Sequence, residues 1–209
     1  MNASFFKIVA GILFVLLSIG IGLYPLQYIL ANEPFGVLQD RALLNSAIWK
    51  WAFYQHVTFG GLAMLFGFTQ FSKKIRDKYR SFHRLLGKMY VLSVLLSGIA
   101  GLYIAICTFG GLPAQLGFTG LAIGWLITTW LAYFAIKSGR VNAHERWMIR
   151  SYALTWAAVM LRLYFPLFEF GFGMNFQASY PIIAWLCWVP NLLVAEWIIS
   201  RLNTNSSNS

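Results

Sequence analysis

From Met89 to Ile136 the chain runs for 48 residues without an Asp, Glu, Lys, Arg or His. A bilayer core of roughly 30 Å takes about 20 apolar residues in a helix, so this run holds two crossings rather than one. Phe109-Gly110-Gly111-Leu112-Pro113 divides it, because paired glycines and a proline interrupt a helix. The solvent implied is lipid. Composition agrees: of 209 residues, 59% are hydrophobic and 11% charged, where a soluble domain carries roughly 25% charged residues. So few ionisable side chains do not cover the surface of a water-soluble fold.

The same reasoning applied along the chain predicts an all-α integral membrane bundle of six transmembrane helices. They fall at about 8–30, 51–72, 89–109, 118–136, 147–167 and 180–200, within one domain over 1–202. The first run, between Lys7 and Glu33, is longer than a signal-peptide core and has no small-x-small cleavage site after it, so it is expected to remain as a span. The polar stretch 203–209 is expected to be disordered.

Orientation follows from the short loops. Lys73, Lys74, Arg76, Lys78, Arg80, Arg84 and Lys88 join helices 2 and 3. Lys137, Arg140, Arg146 and Arg150 join helices 4 and 5. With Lys7 and Arg201 this puts 13 basic residues on one side, against Arg41 and Lys50 on the other. Basic loops stay inside, which places both termini in the cytoplasm of a cell inner membrane. The net charge of +10 is thereby a topology signal and an attraction for anionic lipid headgroups, not the mark of a nucleic-acid partner. Cys107 and Cys187 lie inside apolar runs in no metal or redox spacing and read as packing residues.

Small and polar residues recur at helical spacing in every span, as helix contacts in lipid require. Among them stand the candidates for chemistry. His83 and His144 begin helices 3 and 5 at the cytoplasmic surface, at similar depth. Asn142 and Glu145 suggest a capping box that fixes His144 in the first turn. The positive helix end keeps such an imidazole neutral and able to ligate haem iron. The plainer alternative is an interfacial histidine contacting lipid phosphate. His56 lies deeper, roughly 10 Å from the outer surface at ~1.5 Å per residue, and Arg162 in helix 5 falls at nearly the same depth. A cation within a span costs at least about 2.5–3.5 kcal/mol on insertion scales and normally faces protein or water. His56 and Arg162, with Asn191, therefore outline a polar ligand pocket; snorkelling of Arg162 toward Glu169 or lipid is the alternative. Glu196, a turn inside the end of helix 6, is expected to form a structural ion pair with Arg150 or Arg146.

No phosphate-binding loop, zinc-protease motif or nucleophile elbow is present, so no catalytic residue is assigned and an independent enzyme is not expected. Three segments are informative together: Phe82-His83-Arg84-Leu85-Leu86-Gly87-Lys88-Met89-Tyr90, His144-Glu145-Arg146-Trp147-Met148-Ile149-Arg150-Ser151-Tyr152 and Trp188-Val189-Pro190-Asn191-Leu192-Leu193. They resemble the bacterial multi-pass membrane proteins of domain of unknown function family 2306, from about Trp51 to Trp197. His56, His83, Arg84, Gly87, His144, Trp147, Arg150, Arg162 and Asn191 match that pattern. The resemblance implies membrane location and topology and carries no activity. The His-Arg-x-x-Gly start of helix 3 also looks like helices of haem-binding membrane reductases. The reading that follows is a b-type haem or quinone-linked electron carrier with His83 and His144 as haem ligands. The alternatives are a ligand-binding or transport protein built on His56 and Arg162, and an accessory or assembly protein of a larger membrane complex.

Overall fold

A helix of 23 residues that carries a glutamine and a histidine in mid-length organises the packing. In the computed structural model, which describes residues 3–30 and 46–207, this helix is α3 (Ala47–Thr69). It follows α1 (Ala3–Leu23) and the short α2 (Leu26–Leu30). Next come α4 (Lys73–Lys78), α5 (Arg80–Ile106), α6 (Gly111–Lys137) and α7 (Val141–Thr155). The chain ends through α8 (Ala157–Pro166), a π-helical turn at Leu167–Gly171, α9 (Phe176–Leu186) and α10 (Val189–Ser207). The described residues contain no strand.

Five stretches are long and apolar enough to cross a membrane: Phe5–Tyr28, Arg80–Ile106, Gly111–Lys137, Val141–Gly171 and Phe176–Leu202. They match five of the six runs expected. The remaining one, α3, has the length but carries Gln55, His56 and three glycines. Its polar groups turn toward α5, where Gln55 Nε2 donates to the Leu96 carbonyl at 3.0 Å. On its other side α3 meets α1 closely, since a Cβ on Gly61 would lie 2.5 Å from the Gly22 carbonyl oxygen. Glycine there lets two backbones approach, as is common where helices meet in lipid. Met64, Tyr90, Val94 and Val159 fill the interior, while Leu112, Leu193, Ile99 and Ile106 stand exposed. Apolar side chains turned outward in this way suit a hydrocarbon solvent.

Helix ends follow local chemistry more closely than the limits of the uncharged runs. The break after Leu23 comes at Tyr24-Pro25, since proline offers no N–H and disfavours helical geometry in the residue before it. The division of the long uncharged run falls where expected: Gly110 and Gly111 take positive φ of 92° and 69° and open α6. Ser46, Ser72 and Asn175 accept from Trp49, Ile75 and Ala178 backbone N–H groups and start α3, α4 and α9. α5 begins at Arg80 and α7 at Val141, well before the apolar runs, because a helix continues into the headgroup region with its cationic side chains in water.

Three expectations are corrected. The capping box around His144 does not form, because Gly139 turns the chain at φ 71° and Arg140 is already the N-cap of α7. Glu145 instead approaches Arg76 at 3.7 Å. Helix 5 is not continuous, being interrupted at Trp156 and widened into a π turn after Pro166. The polar tail is helical as far as Ser207. No glycine or proline interrupts it, and Thr204 Oγ1 donates back to the Ser200 carbonyl at 3.0 Å. Asn208 and Ser209 lie outside the described residues.

Candidate functional site: two polar clusters and the network between them

One end of the bundle gathers the cationic loops. There α5 and α7 start, each carrying a histidine, His83 or His144, as its fourth residue. His144 Nδ1 lies 2.8 Å from the Ala132 carbonyl oxygen on α6. A carbonyl only accepts, so Nδ1 holds a hydrogen, and Nε2 is the ring nitrogen that can offer a lone pair to a metal. Histidines that ligate metals are commonly oriented by such a bond. His83 contributes the complementary feature: its Nδ1 is buried and makes no hydrogen bond. A buried polar atom left this way is costly and invites a partner. Two imidazoles are the whole donor set, since no group of three or more His, Cys, Asp or Glu is assembled among the described residues.

The opposite end holds the second cluster. His56 on α3 sets its Nδ1 at 2.9 Å from the Ser97 carbonyl oxygen on α5, and Ser97 Oγ donates to the His56 carbonyl at 2.8 Å. Arg162 on α8 reaches the same end, where Tyr24 belongs to a cluster with Trp49, Phe53 and Val57 of α3. Its guanidinium carbon stands 4.2 Å from the Tyr24 ring centroid, a cation–π arrangement. One Nη donates to the Ala158 carbonyl at 2.8 Å, while Nε is buried without a partner. Among the described residues no carboxylate pairs with Arg162. Tyr24 was not foreseen. Its signal in the sequence was a tyrosine pair at i and i+4, Tyr24 and Tyr28, flanking Pro25 where an apolar run ends.

Asn191 is drawn elsewhere. Its Nδ2 donates to the Ala153 carbonyl at 3.1 Å and to the Cys187 carbonyl at 3.0 Å. Ala153 precedes Arg162 by nine residues, roughly 13 Å along a helix, so Asn191 does not join the pocket expected of it. It clasps two helix interruptions instead, at Trp156 and at Cys187-Trp188. Arg150 Nε and Nη2 donate to the two oxygens of Glu196 at 2.6 and 2.7 Å, a bidentate pair linking α7 and α10.

Between the clusters lies a hydroxyl network that the sequence showed only as packing stripes. Tyr90 Oη is 2.6 Å from Ser151 Oγ and 2.9 Å from Thr155 Oγ1. Thr129 Oγ1 is 2.6 Å from Ser151 Oγ, and Trp125 Nε1 donates to Thr155 Oγ1 at 2.9 Å. These groups tie α5, α6 and α7 together in the interior. Tyr152 adds a branch, donating to the Met64 carbonyl at 3.2 Å with Ser18 Oγ 3.1 Å away.

The profile of the family described as "Predicted membrane protein (DUF2306)" matches residues 53–199. The chain belongs to this family. The matched region takes in His56, His83, His144, Arg162, Asn191 and the Arg150–Glu196 pair. It leaves out α1 and α2, so the aromatic face beneath Arg162 comes from outside the shared region. No curated protein and no solved structure matches the chain.

Proposed function

We propose that this DUF2306 protein is a membrane electron carrier that binds a b-type haem between His83 and His144. In this reading α3 is the sixth span, and both termini and the cationic loops face the cytoplasm of a cell inner membrane. The observation that carries the proposal is the state of the two rings. His144 is held through Nδ1 by the Ala132 carbonyl, which leaves Nε2 for a ligand, and His83 at the same end has a buried nitrogen without a bond. A haem bound there supplies one-electron exchange at its iron. The chain's own part is to fix the tautomer of His144 and to present both imidazoles where α5 and α7 start. The reduced-minus-oxidised absorption spectrum of the protein, purified in mild detergent from haem-supplied cells, tests this. A reducible Soret band supports the reading; a colourless preparation defeats it.

A second reading rests on Arg162. A cation with an unpartnered Nε and an aromatic face suits a quinone headgroup or an anionic ligand. This site is the companion of the first: an electron carrier needs a membrane-soluble partner, and the two clusters stand at opposite ends of one bundle. A short-chain ubiquinone analogue should raise the melting temperature of the protein and fail to do so in Arg162→Leu. An unchanged shift in that variant removes Arg162 from the site.

A further inference from the structure

At the basic end, α7 and α10 enclose an open cleft of about 430 Å³, within the roughly 300–1,000 Å³ that holds small ligands. Its two guanidinium groups differ in standing. Arg150 is bound to both oxygens of Glu196, so that pair is neutral as a unit. Arg146 uses only Nε, on the Asn142 carbonyl at 3.2 Å, and meets no carboxylate among the described residues. The cleft thus retains a positive charge with Arg146 Nη groups to offer. Trp147, with Arg150 4.6 Å from its ring centroid, and buried Ile199 supply apolar lining.

The surroundings identify the occupant. Along the outer face of α10, Leu193, Val194 and Trp197 are 67%, 55% and 60% exposed, a surface for acyl chains. Arg201 stands 5.5 Å from the Trp197 ring centroid, and a Trp–Arg pair where an apolar stretch ends marks the headgroup level. We infer that this cleft binds the phosphate of an anionic lipid headgroup, Arg146 donating to phosphate oxygens while the acyl chains lie along α10. A guanidinium is well suited to phosphate, offering paired donors in one plane. Glu196 is kept from repelling the phosphate by its bond to Arg150. This site is separate from the haem reading and stands without it.

Native mass spectrometry and melting curves of the full-length protein in detergent test the inference, with added phosphatidylglycerol, phosphatidylcholine or inorganic phosphate. Phosphatidylglycerol should bind as a discrete adduct and raise the melting temperature, whereas phosphatidylcholine should not. Arg146→Gln should weaken that binding about fivefold, the equivalent of ~1 kcal/mol per basic residue at an anionic surface. Lys74→Gln, on the same end but outside the cleft, should leave it unchanged. Equal losses in both variants would mean diffuse attraction and overturn the site. An unaffected Arg146→Gln would do the same, and so would inorganic phosphate reproducing the full shift.

Discussion

The imidazole of His56 rests directly on Gly101. A Cβ at that glycine would lie 2.7 Å from His56 Nδ1 and 2.8 Å from Cε1, closer than packed carbon and nitrogen allow. The α5 backbone is therefore bare where the ring needs it, and the bond from His56 to Ser97 depends on that space. Gly101→Ala should push the ring off the Ser97 carbonyl and destabilise the protein by about 1–3 kcal/mol, the usual cost of overfilling a packed interior. Thermal unfolding in detergent measures it. Full wild-type stability would mean the ring has another place to go.

Tyr90 anchors the hydroxyl network by meeting both Ser151 and Thr155. Removing its hydroxyl in Tyr90→Phe leaves those groups to each other and to backbone carbonyls. Hydrogen bonds between helices in lipid contribute about 0.6 kcal/mol on average and reach ~1.7 kcal/mol. The variant should fall within that range below wild type. It should also keep its spectrum, since the network holds helices together rather than touching the histidine pair. A lost haem signal in folded Tyr90→Phe would assign the network a redox role.

Asn191 makes a different kind of contribution, because the carbonyls it serves sit at helix interruptions. Asn191→Ala should cost about 1–2 kcal/mol through two bonds worth roughly 0.5–1.5 kcal/mol each. Hydrogen exchange should rise around both Trp156 and Trp188, on two separate spans. Faster exchange at only one of them would contradict the clasp.

Much of this architecture was legible because lipid imposes a length and an apolarity that a sequence displays openly. The Gly110-Gly111 break and five apolar spans were read on those grounds. α3 shows the limit: its polar residues lower its apolarity because they bond to α5, and a pattern of single residues cannot show that pairing. The interruption at Trp156 carries no proline to announce it. Thr155 bonds back to the Ser151 carbonyl at 3.0 Å, a local contact that bends helices without a distinctive sequence signal. At the sites, counting along each helix sets His56 at the level of Arg162 and His83 at the level of His144, at opposite ends of the bundle. Depth alone misplaced Asn191, because a side-chain amide goes to whichever unsatisfied carbonyl it reaches. Tyr24 was overlooked because a cation–π partner comes from rotation about a helix axis, which residue counting does not give.

Topology offers its own check. Reporter fusions after Lys78 and after Arg140 should both be active on the cytoplasmic side, as basic loops dictate. A fusion after Phe109 should be active on the far side. Opposite locations for the first two would dismantle the arrangement that sets His83 and His144 at one end of the bundle.

The central claim concerns that pair, and haem content measures it most directly. Wild type, His83→Ala, His144→Ala and His56→Ala proteins, purified side by side from haem-supplied cells, should be assayed for haem per chain. The account predicts about one haem per chain in wild type and in His56→Ala, with bound haem lost or sharply reduced in the other two. Wild type without haem, or four equal ratios, would contradict it.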